Sequence, residues 1–139
     1  MLLFELNKEE SRAFMRLVSE FVTVDKKINK EEKSVIEKYL NKLNMNKEEI
    51  NEISHTEAIE ILDKSEDKIK NMVYFELLGV ALIDGDYETS EVDYLEEVAD
   101  KFNISRATKI ALANYYFDVD KMKNKSEEEV KEKLIKILN

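Results

Sequence analysis

The chain of 139 residues has no cysteine, no proline and no tryptophan, only two glycines, Gly79 and Gly85, and a single histidine, His55. Without cysteine there are no disulfides, no thiolate metal sites and no thiol redox chemistry, and the composition fits a reducing compartment. Without proline, and nearly without glycine, the chain is poor in turn-formers, while Glu, Lys, Leu, Ile and Asn abound. Such a composition favours helix, and no sheet is expected. The N-terminal MLLFELNKEE has neither the basic segment nor the apolar run of a signal peptide, and the longest nearly apolar stretch, Met72 to Ile83, is too short to span a bilayer. A cytoplasmic protein without membrane insertion is the expectation.

What is present is charge and a sufficient core. With 43% apolar residues the chain is long enough to fold as one domain. Its 31 acidic and 22 basic side chains leave a net charge of −9, which repels a phosphate backbone, so no nucleic-acid partner is expected. Acidity of this kind suits divalent cations or a basic protein surface.

Capping signals and periodicity divide the chain into helices. Asn7 with Glu10 is a capping-box pattern, followed at helical spacing by Ala13, Phe14, Leu17, Val18, Phe21 and Val22, which predicts a helix over about 8–24. Asn29 with Glu32 repeats the pattern before Val35, Ile36, Tyr39, Leu40 and Leu43, and Asn46 with Glu49 repeats it before Ile50 and Ile53. Thr56 is expected to cap a short helix through Ile59 and Leu62, and Ser65 to open one whose MVYFELLGVALI is apolar on every side except at Glu76. A helix apolar all round is a buried one. Val92, Leu95, Val98, Ala99 and Phe102 mark the next; Ser105 caps another through Ile110, Leu112, Ala113 and Tyr116; Ser126 with Glu129 opens the last, with Val130, Leu134, Ile137 and Leu138. The fold class is all-α, a multihelical single domain.

An internal repeat changes the reading of every residue in it. Displaced by 59 positions, VTVDKKINKEEKSVIEKYLNKLNMN (Val22 to Asn46) lies without a gap on ALIDGDYETSEVDYLEEVADKFNIS (Ala81 to Ser105). Asp25 meets Asp84, Ile28 meets Tyr87, Glu32 meets Glu91, Leu43 meets Phe102 and Asn44 meets Asn103. Two copies of a three-helix unit, at about 3–62 and 63–124, with an extra helix at about 127–138, are the expected architecture.

An apolar helix ending in Ala-x-x-Asp-Gly, an apolar residue two positions after the glycine, then Glu at the start of the next helix, resembles the tellurite-resistance TerB-like family. The second copy carries the pattern at Ala81, Asp84, Gly85, Tyr87 and Glu91; the first keeps Asp25, Ile28 and Glu32 and departs from it at Lys26 and Lys27. The resemblance, covering about Leu3 to Tyr116, implies a duplicated helical domain with two central helices and a non-enzymatic role in bacterial stress responses to metals. It further implies divalent-metal binding and docking on partner proteins near the membrane.

The segment IDGDYETSE, Ile83 to Glu91, holds four acidic side chains in nine residues. Clustered oxygens suit a hard cation, Ca2+ or Mg2+ ahead of Zn2+, with Asp84, Asp86 and Glu91 as ligands and Asp25 with Glu32 as a weaker second site. It is not an EF-hand: loop position six would be Thr89 instead of Gly, and position twelve Leu95 instead of Glu. The same residues also read as a turn. Gly85 can close a helix, Thr89 or Ser90 can cap the next, and Glu91 in its first turn meets the favourable end of the dipole. Asp84 at a helix C-terminus would cost a few tenths to about 1 kcal/mol unless compensated.

Elsewhere the residues read as structure. His55 stands in a polar segment as a surface or capping residue, and Glu76 as a carboxylate at the edge of a buried face, paired with a lysine or a tyrosine hydroxyl. The rings of Phe14, Phe21, Tyr74, Phe75, Tyr115, Tyr116 and Phe117 fall at core spacing, and Met15, Met45, Met72 and Met122 read as gap-fillers. No phosphate loop, Ser nucleophile motif or H-E-x-x-H is present, so neither an enzyme nor an organic cofactor is expected. A cation-binding module and a metal-independent helical docking domain for a protein partner both follow from these residues.

Overall fold

The computed structural model describes residues 5–23, 30–82, 89–119 and 127–138. It is all-α: α1 (Lys8–Thr23), α2 (Lys30–Lys42), a 3-10 helix (Lys47–Glu52), α3 (His55–Asp63), α4 (Asp67–Leu82), α5 (Thr89–Lys101), α6 (Arg106–Val119) and α7 (Glu127–Leu138). Among the described residues there is no strand and no helix long and apolar enough to cross a membrane.

Side-chain capping decides where α1, the 3-10 helix, α3 and α6 begin. At α1 the Asn7 amide donates to Glu10 Oε1 (3.0 Å) while the Glu10 amide donates to Asn7 Oδ1 (2.8 Å), so two amides that the helix leaves over are satisfied reciprocally. Asn46 and Glu49 form the same box. It opens a six-residue 3-10 helix, because a second box, Ser54 with Glu57, starts α3 only a few residues later. Ser54, not Thr56, is therefore the cap of α3, and Thr56 lies inside the helix. Ser65 does not cap α4 either. The Ile69 and Lys70 amides donate to the Glu66 carbonyl, and the Ser65 hydroxyl instead donates to Glu10 Oε2, joining the entry of α4 to that of α1.

The offset of 59 seen in the sequence recurs in the element bounds. Lys8 and Thr23 of α1 correspond to Asp67 and Leu82 of α4, and Lys30 and Lys42 of α2 to Thr89 and Lys101 of α5. Two residues beyond the end of both α2 and α5 stands an asparagine in the left-handed region, Asn44 (φ 54°) and Asn103 (φ 53°). The following amides, of Met45 and Ile104, reach back to the Leu40 and Ala99 carbonyls at 2.9 Å in each case, the hydrogen-bond pattern of a Schellman closure. The correspondence then breaks: Lys47 starts the 3-10 helix and Arg106 starts the fourteen-residue α6. At the position of the interrupting Ser54 the second half has Ala113, which offers no competing cap, so the helix runs on.

Helices α1 and α4 form the centre. α1 buries Phe14, Met15, Leu17, Val18, Phe21 and Val22 along one broad face, and α4 buries almost its whole later part, from Met72 to Ala81, with only Gly79 partly open. α1 packs against α2, the 3-10 helix and α3; α4 packs against α5, α6 and α7; α3 and α4 each touch one another, and α1 touches α4. Burial of this extent, at roughly 25 cal/mol per Å2 of apolar surface, is what drives the assembly.

Gly79 is required by its neighbour. The Tyr116 ring stacks on Phe75 (centroids 4.7 Å, 13°), and its hydroxyl donates to the Phe75 carbonyl at 2.9 Å. A Cβ at Gly79 would collide with that hydroxyl. Gly79→Ala should destabilise the protein by about 1 kcal/mol net, the lost hydrogen bond and displaced ring outweighing the helix-propensity gain of roughly 1 kcal/mol. Adding Tyr116→Phe to Gly79→Ala should recover part of the loss in a urea melt; a Gly79→Ala variant more stable than wild type would show that the ring moves aside freely.

Candidate functional site

In the chain the two acidic segments fall between α1 and α2 and between α4 and α5. Asp25, Asp84 and Asp86 fall outside the described residues. Glu32 belongs to the first turn of α2, its side chain likewise outside the described set. Glu91 is the member the structure places: it is the third residue of α5 and only 5% exposed. A carboxylate is seldom buried without a compensating charge or donors, and the amide-rich, positive end of a helix supplies part of that compensation. Thr89 and Ser90, expected as caps, are the first two residues of the helix itself. Among the described residues no group of three or more His, Asp or Glu side chains is disposed to hold a metal.

A second constellation joins α1, α3 and α5 and was not read from the sequence. His55 Nδ1 lies 2.7 Å from Glu20 Oε1, which fixes the orientation of the ring, and Nε2 lies 4.0 Å from Glu97 Oε1. The Tyr94 hydroxyl donates to the Leu17 carbonyl at 3.2 Å and more weakly to Glu20 Oε1 at 3.4 Å. Burial, and then the Glu20 carboxylate, push the Tyr94 hydroxyl well above its ordinary range, so it remains a donor. Arg16 Nε adds an ion pair to Glu20 at 3.8 Å. The position of Glu20 corresponds to that of Gly79, so in both halves this point on the central helix meets a tyrosine hydroxyl, Tyr94 or Tyr116. The solitary histidine was the one signal for this cluster; its partners lie 35 to 42 residues away in the chain.

Glu76 is paired with a tyrosine, one of the two partners its setting predicts. Tyr39 of α2 donates to Glu76 Oε2 at 2.7 Å, the carboxylate being 5% exposed. Burial raises the Glu76 pKa, opposed by the Tyr39 hydrogen bond and by Lys42 and Lys38. Burial and the neighbouring Glu76 push the Tyr39 hydroxyl up strongly. The pair cross-links the two halves of the core.

Concavities lie elsewhere on the surface. One of about 350 Å3 lies between the start of α1 and the end of α3, lined by Asn7, Glu10, Glu57, Lys64 and Ser65 among others. Another, about 470 Å3, runs between α1, α2 and the 3-10 helix over Ile36, Leu40 and Ile50. Neither is lined by His55 or Tyr94, so the oriented imidazole does not face either cavity. No family model matches the chain, and no curated protein and no solved structure matches it at a significant level.

Proposed function

We propose that this protein is a non-catalytic binding module of the TerB-like kind, serving a bacterial stress response, which takes a hard divalent cation at the acidic turn ending in Glu91. Glu91 carries the reading. Its buried carboxylate stands at the mouth of α5, three residues after Glu88 in a segment that also supplies Asp84 and Asp86. A divalent ion there would take the Glu91 carboxylate, which burial holds in place, with Asp84 and Asp86 as further oxygen donors. Oxygen-only ligands favour Ca2+ or Mg2+ over Zn2+.

Calorimetric titration of chelator-treated protein tests the proposal. Saturable heats with Ca2+ or Mg2+ that the Asp84→Asn, Glu91→Gln variant loses are expected, and at tenfold excess over Kd the metal should add about 1.4 kcal/mol to unfolding stability. Heats no larger than dilution, with unchanged melting, would remove the cation from the account. The second reading then stands on a separate observation: α5 exposes Val92, Asp93, Glu96, Glu97 and Asp100 together, an acidic face for docking a basic protein surface without metal.

A further inference from the structure

The two limbs related by 59 positions have opposite charge. Between positions 24 and 47 seven lysines stand against four acidic residues; between 83 and 106 eight acidic residues stand against two basic ones. In a chain of net charge −9 the first limb is thus a local cationic island. Lys33 and Lys47 are exposed and line the 470 Å3 groove, whose apolar floor is Ile36, Leu40 and Ile50 and which also meets Glu37. Lys33, Ile36, Glu37 and Leu40 follow one another at helical spacing on α2, the arrangement by which a helix surface receives another helix.

The complementary surface is on the same molecule. Among the described residues the exposed large apolar side chains are Val92, 39% exposed, and Ile110, 52% exposed. Val92 sits at the position of Lys33, on the exposed face of α5 with Asp93 and Asp100. Lys109, next to Ile110, pairs with Glu96 of α5 at 3.2 Å. An apolar side chain framed by carboxylates and an apolar groove framed by lysines are both open in the monomer, in equal number.

We propose that α5 of one copy docks in the α2 groove of a second copy, Val92 against Ile36, Leu40 and Ile50, with Asp93 and Asp100 facing Lys33 and Lys47. Because the two patches differ, the contact is heterologous and propagates head to tail unless its rotation closes a ring. The overall repulsion of like-charged molecules is largely screened beyond about 8 Å at physiological salt, leaving the local pairing to act. The inference rests on the docking reading in using the α5 face; the cation reading stands apart, and the measurement is made with chelator present.

Sedimentation velocity over a wide concentration range tests it. The weight-average mass should rise above the 16.4 kDa of the monomer as concentration rises. Lys33→Glu with Lys47→Glu, and separately Asp93→Lys with Asp100→Lys, should each abolish the rise, the first having two acidic patches and the second two basic ones. Mixed in equal amounts, the two variants should associate again, because every groove then meets a face of opposite charge. Asp93 and Asp100 are chosen because Glu96 is held by Lys109 and Glu97 lies near His55, and matching melting curves will show that the variants are folded. A wild type that stays at 16.4 kDa throughout, association that persists in either reversed variant, or a mixture that remains monomeric would overturn the proposal. A monomeric wild type that binds a lysine-rich amphipathic peptide through α5 would overturn self-docking while leaving the docking reading intact.

Discussion

Phe14→Ala should lower unfolding free energy by about 3–5 kcal/mol in a urea melt at neutral pH, the range for removing a fully enclosed aromatic side chain. Phe14 has no exposed surface and lies in α1, one of the two helices on which the rest is built. Its ring meets Tyr39 edge to face at 5.2 Å and 90°, a geometry worth roughly 0.5–1.5 kcal/mol beyond the buried area. The alanine would leave a cavity against Tyr39, which donates to Glu76, so lost packing and a loosened hydrogen bond should add. Val73, at the corresponding position of α4 and equally enclosed, has fewer atoms to lose and should cost less on truncation. Exposed Ile110→Ala should stay within about 0.5 kcal/mol of wild type. A Phe14→Ala loss no greater than that of Ile110→Ala would mean that the core collapses around the vacancy.

Tyr39→Phe should cost about 2–3 kcal/mol, because it leaves a buried carboxylate without its donor while keeping the ring against Phe14. Glu76→Gln should cost clearly less, since the amide oxygen can still accept from Tyr39 and no charge is buried. The two variants also separate in pH. Burial raises the folded-state pKa of Glu76 above its ordinary 4.5, so the folded protein binds a proton there more readily than the unfolded chain. Its contribution to stability is then fully present below about pH 4.5 and is lost as pH rises through the folded value, above which the penalty is constant. Relative to Glu76→Gln, wild type should lose stability over that window. Tyr39→Phe removes a hydrogen bond that holds the pKa down, and should extend the decline to higher pH. A wild type and a Glu76→Gln variant whose stabilities run parallel from pH 4 to pH 8 would show that the carboxyl has the same pKa in the folded and unfolded states.

The sequence alone was enough wherever the physics is local. Capping boxes are satisfied by residues three apart, so the entries of α1, the 3-10 helix and α6 were legible at Asn7, Asn46 and Ser105, where the Thr108 amide does donate to Ser105 Oγ. The all-α class followed from composition and a 3.6-residue period, and the offset of 59 from alignment of the chain with itself. Thr56 and Ser65 were misread for a local reason as well: several hydroxyls lie near each helix start, and which one turns inward depends on the residue three positions on, Glu57 for Ser54, or on a distant acceptor, Glu10 for Ser65.

Periodicity reports which face of a helix is covered but not by what, and the tertiary structure alone decided the rest. It selected Tyr39 as the partner of Glu76 across 37 positions and brought Glu20 to His55 across 35, and it made Gly79 indispensable to Tyr116. It left a groove beside α2, where the first half carries a short 3-10 helix at the place of α6. In the acidic segments the sequence determined the charge, and the fold decided that Glu91 is buried with Leu95, Val98 and Ala99, while Asp93, Glu96, Glu97 and Asp100 of the same helix meet water. Charge is a property of composition; burial depends on what the rest of the chain brings alongside.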